Sequence, residues 1–324
     1  MKPDIKFGVD LFSVRNAGYS PFEYLDYCAG LGARVVHFSE IRFLGGLEHE
    51  HLRKVRAHAD KHGIEIEIGM LSICESSKRF DVKQGTAVEQ LSRLIDAGQV
   101  AGSKLVRCVL GSLDDRSSAV PLEKHIENCV KTLRAVRTRA QNAGLKVAVE
   151  NHAGDLQARE LKMLIEEAGK DTVGACLDSG NPVWALEDPH LTLETLAPYV
   201  LTSHVRDSYI WRDEKGVNVQ WMRMGDGNVR IADWVKKYRQ LCPGKALSME
   251  IICIPSRAFK VQEPVFWEAY KKMPAWEFAR FLSYAEKASP LPPYVMPAKE
   301  QQGASQKADL EASAAFTKNV LADA

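Results

Sequence analysis

Four acid or imidazole side chains in the second half of the chain each stand at the end of an apolar run. Glu150 follows LKVAV, Asp178 follows VGACL, His204 lies in VLTSHV and Glu250 follows ALSM. A carboxylate buried without a partner costs several kcal/mol, so three of them gathered with one imidazole call for a cation. Oxygen-rich ligation suits a divalent ion, Mn²⁺ or Mg²⁺ first and Co²⁺ next, ahead of Zn²⁺. Such an ion withdraws charge from neighbouring carbonyl and hydroxyl oxygens and stabilises an enediolate when a proton is lost beside the carbonyl.

The residues around these four offer the remaining chemistry. His152, two positions beyond Glu150, is a candidate base because an imidazole titrates near neutrality; loop packing is its alternative role. Arg206 suits an anionic or polyhydroxyl group of a substrate, or a salt bridge to Asp207. Asn181 follows Asp178 closely enough to face the same substrate. His37 ends the second apolar run and either lines the mouth of the site or sits satisfied in the core.

Positioning these side chains requires strands that end together. Apolar, β-branched runs at 5–14, 34–38, 64–71, 104–110, 145–149, 173–177, 201–205 and 246–251 alternate with stretches of three- and four-residue apolar spacing, such as AVEQLSRLIDAGQVAG and ARELKMLIEEAG. Gly32, Gly63, Gly144 and Gly169 stand where a left-handed residue would close a helix. Repeated strand–helix units imply a parallel sheet covered by helices, and eight of them favour a closed (β/α)₈ TIM barrel, whose active sites lie at the carboxyl ends of the strands. The first strand is followed by SVRNAGYSP, which lacks a dinucleotide-binding glycine pattern. Residues 208–230 break the rhythm and read as a long loop or hairpin over the barrel mouth. The aromatic-rich stretch after Pro255 reads as one or two helices closing the barrel. The domain organisation expected is a barrel over 1–290 and a C-terminal helical extension over 291–324, whose last part, from about 297, is a marginal helix, an oligomer arm or a disordered tail.

The motifs VENH, LDSGN, HVRD and SMEI, in this order, resemble the xylose-isomerase-like sugar isomerase and epimerase superfamily. GDGNVRIADWVKKYRQL resembles its GxGxVD stretch, with Ile231 and Ala232 where the acid would stand. The resemblance implies that Glu150, Asp178, His204 and Glu250 are metal ligands and that Glu150 and Glu250 also move protons on opposite faces of a small-molecule sugar. It implies an isomerase or epimerase acting on a keto sugar. Two departures point elsewhere in the superfamily: Leu156 and Asn181 stand where its ketose epimerases carry a glutamate and a histidine. The alternative is a lyase on a 3-keto sugar, a C-glycoside deglycosidase, dehydratase or decarboxylase, using the same metal and a histidine base.

Forty-three basic against 42 acidic residues leave a formal charge of +1, which provides no general field for nucleic acid or anionic membrane. An endonuclease of the same fold would also need further metal ligands and a basic groove. No uninterrupted apolar stretch approaches a membrane span, and the N-terminus lacks a leader pattern, so a cytoplasmic protein is expected. The seven cysteines are odd in number and scattered without a CxxC, which predicts reduced, buried thiols. A homo-oligomer is expected, with a small second subunit as the alternative that some deglycosidases of the superfamily use.

Overall fold

The computed structural model describes residues 5–323. Each of the eight apolar runs forms a strand: β1 Lys6–Asp10, β2 Val35–Phe38, β3 Glu65–Ser72, β4 Leu105–Val109, β5 Lys146–Glu150, β6 Val173–Asp178, β7 Val200–Val205 and, after a two-stranded insertion, β10 Ala246–Met249. These eight close into a barrel in the order β1-β10-β7-β6-β5-β4-β3-β2, all neighbours parallel. Helices return the chain over the outside between strands, and their apolar faces join the strands in one continuous core. Gly32, Gly63 and Gly144 close their helices with φ of 71°, 65° and 69°, as the sequence predicted.

Strand ends shift where side chains compete with the ladder. The first run is predicted as a strand through Val14, but Asp10 Oδ1 accepts the amide hydrogen of Phe12 at 2.8 Å and turns the chain into a short 3₁₀ helix, Leu11–Val14. That turn keeps Asp10 at the barrel rim.

The insertion predicted over the mouth is a hairpin, β8 Asp207–Asp213 and β9 Gly216–Met222, paired from Asp207↔Met222 to Asp213↔Gly216. A third strand, β11 Arg257–Phe259, adds antiparallel to β9. Behind this sheet a second apolar cluster gathers Ile210, Val217, Val219, Phe259, Tyr270 and Phe281. The helix Ala275–Leu282, expected to close the barrel, supports the hairpin instead.

Of the alternatives for the last residues, the chain adopts a helix, Gln302–Asp323. Leu310, Ser313, Ala314, Thr317 and Val320 are buried against the barrel, with Thr317 Oγ1 on Met249 of β10. Lys318 donates to the Leu31 carbonyl at 2.7 Å, Tyr27 donates to Glu311, and the same helix packs on Ile231–Leu241. It thus fills the gap between the first and seventh outer helices, where the barrel needs an eighth.

All seven cysteines are free thiols, six of them buried. Among the described residues no helix is long and apolar enough to cross a membrane.

Candidate metal centre and active site

Strands β5, β6, β7 and β10 deliver Glu150, Asp178, His204 and Glu250 to one point. One ligand atom from each lies within 4.8 Å of all the others, and all four residues are buried. His204 Nδ1 sits 3.1 Å from Glu150 Oε2 and 3.5 Å from Glu250 Oε2, yet it is hydrogen-bonded to neither. A buried ring nitrogen left unpartnered among carboxylate oxygens is the arrangement a shared ion would require.

Charge argues the same way. Asp10, Glu67, Glu150, Asp178 and Glu250 are five buried carboxyls within the barrel, and the guanidinium groups that reach them are Arg107 and Arg206. Arg107 Nε donates to Glu150 Oε2 at 2.5 Å, and Arg206 Nη2 bridges Asp178 and Glu250, the latter at 2.6 Å. Even with a charged His204 counted beside the two guanidinium groups, three cations face five acids and the pit is short of positive charge. Burial pushes Asp10, Glu67 and Asp178 up to about 7. Burial would raise Glu150 as well, but Arg107 and His204 hold it well below the usual carboxylate range. For His204 burial opposes the charge, and the surrounding Cys176, Glu150, Glu250 and Asp10 override it and raise its pKa well above that of an ordinary imidazole. A divalent ion fits this donor set and this deficit.

Around these four side chains lies a supporting set. His37 is fully buried beneath His204 rather than at the mouth, and its Nδ1 shares a 2.8 Å hydrogen bond with His204 Nε2. It fixes the ring that turns Nδ1 toward the acids, the usual task of a residue behind a metal-binding histidine. Asn181 Nδ2 donates to Glu150 Oε1 at 2.9 Å, while the amides of Gly180 and Asn181 donate to Asp178 Oδ1. Gly180 is required by packing, since a Cβ there would overlap the Arg206 side chain. Asp207 is not the partner of Arg206; it accepts from the amides of Ser208, Gly225 and Gly227 and pins the loop that enters the next helix.

Above the four side chains opens a cavity of about 260 Å³, walled by Arg107, His152, Asn181, Arg206, Trp221 and Glu250 among others. His152 Nδ1 bonds the Gly111 carbonyl at 2.6 Å, which assigns its proton to Nδ1 and leaves the Nε2 lone pair free. Asp155 Oδ1 accepts the amide hydrogens of His152 and Leu156, and Oδ2 that of Gly111, so the loop carrying His152 is held on both sides. Burial lowers the His152 pKa and keeps the ring neutral. Trp221 from β9 roofs the cavity; its indole nitrogen donates to the Gly180 carbonyl at 2.8 Å, it stacks on Trp184 at 4.1 Å between centroids, and the Arg206 guanidinium lies 4.4 Å from its ring centre.

The sequence reasoning missed Asp10, Glu67, Arg107, Trp184 and Trp221. Arg107 carried a signal, a lone charge inside the apolar run LVRCVL, and so did the alternating acid in EIEIGM. Trp221 carried only its place in the stretch predicted over the mouth, and Trp184 carried none.

The family model of the xylose isomerase-like TIM barrel matches residues 24–260. Among curated proteins, the 3-oxo-isoapionate decarboxylase of Pectobacterium atrosepticum is 23% identical over 190 residues, 59% of this chain and 62% of that protein, so the chain spans less than two thirds of its length. Among solved structures, D-psicose 3-epimerase from Clostridium cellulolyticum H10, with D-tagatose, superposes with a TM-score of 0.65 at 14% identity over 98% of this chain and 99% of that one. The 3-keto-D-glucoside 4-epimerase YcjR of Escherichia coli superposes with a TM-score of 0.59 at 14% identity, covering 87% and 98%. At such identity the structural likeness speaks for the fold alone.

Proposed function

Because the chain belongs to the xylose isomerase-like TIM barrel family, we propose that it is a divalent-metal enzyme that removes a proton beside the carbonyl of a keto sugar or related polyhydroxy compound and returns it elsewhere, as an isomerase or epimerase. The observation that carries this reading is the convergence of four metal-competent side chains under a cavity into which a neutral, singly hydrogen-bonded His152 also projects. Bound at Glu150, Asp178, His204 and Glu250, an ion such as Mn²⁺, Mg²⁺ or Co²⁺ would polarise the carbonyl and an adjacent hydroxyl.

The chain's own groups then divide the remaining work. His152 Nε2 accepts the proton, and its Gly111 bond holds the ring in the required tautomer. Glu250, on the cavity wall, is positioned to carry a proton on another face of the substrate. Arg206 lines that wall and places a fixed positive charge beside substrate oxygens. Trp221 and Trp184 cover the pocket and exclude water from the carbanionic intermediate.

A second reading, a lyase acting on a 3-keto glycoside or keto acid, is supported by space. A further cavity of about 380 Å³, walled by Ile41, Arg42, Leu47, Met70 and Arg93, adjoins the first and shares Glu40, Leu71 and Arg79 with it. A free ketose would leave it empty, whereas a leaving group would use its apolar wall. The curated relative's decarboxylase name supports the same alternative.

The test is incubation of the metal-loaded protein in D₂O with ketoses and 3-keto glycosides. Isomer formation with deuterium incorporation is the expected result. Release of an aglycone, water or CO₂ would transfer the assignment to the lyase reading, and absence of turnover or exchange on every substrate would refute both.

A further inference from the structure

Four of the nine histidines crowd onto one outer helix and its cap: His49, His51 and His58 on His49–Lys61, with His62 following it. The barrel chemistry uses none of them. His58 and His62 are four residues apart, so their rings project from the same face. That face looks at Asp26 on the adjacent helix Pro21–Gly30.

The contacts there are convergent. His58 Nε2 lies 2.7 Å and His62 Nε2 2.9 Å from the same oxygen, Asp26 Oδ1. The two rings are 5.2 Å apart, and Phe22 packs edge-on against His58 at 5.4 Å, which restricts that ring. All three side chains remain open to solvent, at 25%, 33% and 53% exposure, so an ion can enter without rearrangement of the fold.

From this geometry we infer a second metal site, Asp26–His58–His62, on the outer surface of the barrel and separate from the catalytic pit. Two imidazoles and one carboxylate suit a borderline transition ion, Zn²⁺ foremost with Co²⁺ or Ni²⁺ as analogues, and suit Mg²⁺ or Ca²⁺ poorly. The remaining coordination positions face water. Binding needs each ring proton on Nδ1, so that both Nε2 lone pairs and the Asp26 oxygen share one ion in place of the present hydrogen bonds. The ion would join the first two outer helices, near the end of the barrel where those helices turn back toward the amino ends of the strands. Its effect is therefore on stability, not turnover.

The experiment compares the full-length protein with the double variant His58→Gln/His62→Gln, both dialysed against Zn²⁺ and analysed for bound metal, with melting temperatures recorded before and after. The wild type is expected to hold one more ion per chain than the variant and to gain more in Tm on adding Zn²⁺, while turnover is equal in both. Circular dichroism and Tm in chelator establish that the variant folds. Equal metal content would overturn the site, as would equal Zn²⁺-induced Tm gains. A difference of one ion is readable whatever the pit itself retains, so the result does not depend on the catalytic assignment.

Discussion

Arg206 should matter most when no metal is present, because it and an ion serve the same two carboxylates. The side chain is 1% exposed, its Nη2 bridges Asp178 and Glu250, and its guanidinium lies against Trp221. Arg206→Met keeps the aliphatic stem of the side chain but removes the guanidinium and its charge. Deleting one partner of a buried ion pair costs about 3–5 kcal/mol, because the surviving acid remains buried and uncompensated. For a chain of this size each kcal/mol moves Tm by roughly 2 °C, which gives a fall of about 6–10 °C in chelator. The measurement is differential scanning calorimetry of wild type and variant at about pH 8, where even burial-raised carboxyls are ionised, in EDTA and in excess Mn²⁺. In Mn²⁺ the fall should shrink to less than half, since the ion supplies the missing charge and no longer competes with the guanidinium for Asp178 and Glu250. An equal fall in both buffers would refute the reasoning: Arg206 would then be a packing residue, unconnected to the charge deficit of the pit.

Three other outcomes follow from the same contacts. His152→Asn retains a donor toward the Gly111 carbonyl and deletes Nε2, so solvent deuterium exchange into substrate should fall by about 10²–10⁴ with metal content unchanged; undiminished exchange would eliminate His152 as the base. Gly180→Ala forces a methyl into the Arg206 side chain and should lower stability by about 1–3 kcal/mol in urea titration, whereas a neutral effect would show that Arg206 has room to move. Glu187, away from the metal centre, accepts the Ala158 amide hydrogen and the Thr192 hydroxyl, and burial raises its carboxyl to about 7. A folded-state pKa above the unfolded one gives stability that is present below about pH 4.5 and lost as pH rises through about 7. Glu187→Gln should therefore gain on wild type by up to roughly 3 kcal/mol between about pH 5 and pH 8, and parallel denaturation curves across that range would contradict the shift.

Much of the fold was legible because its signals are local. The barrel strands are short apolar runs, several of them preceded by a helix-closing glycine, and helix periodicity fills the intervals, so eight βα units could be read without knowledge of what touches what. The four ligand candidates were legible for the related reason that a charge at the end of an apolar run has few structural uses. What surrounds them was less so, since it depends on contacts made across the chain. Arg107 meets Glu150 from the adjacent strand, His37 of β2 slides under His204 of β7, and Trp221 reaches the cavity because an inserted hairpin folds back over it. The C-terminal helix is similar: its composition allowed a helix, an arm or disorder, and the vacancy between the first and last outer helices selects the helix by burying Leu310, Ala314 and Val320. By itself, then, the sequence determined the barrel and the four polar side chains that converge at its strand ends, because strand patterning and the expense of buried charge are properties of short segments. Tertiary structure alone decided which cations balance those acids, which histidine lies under His204 and which one lines the cavity, and what covers the pocket, because each is a property of surfaces that meet only when the barrel closes.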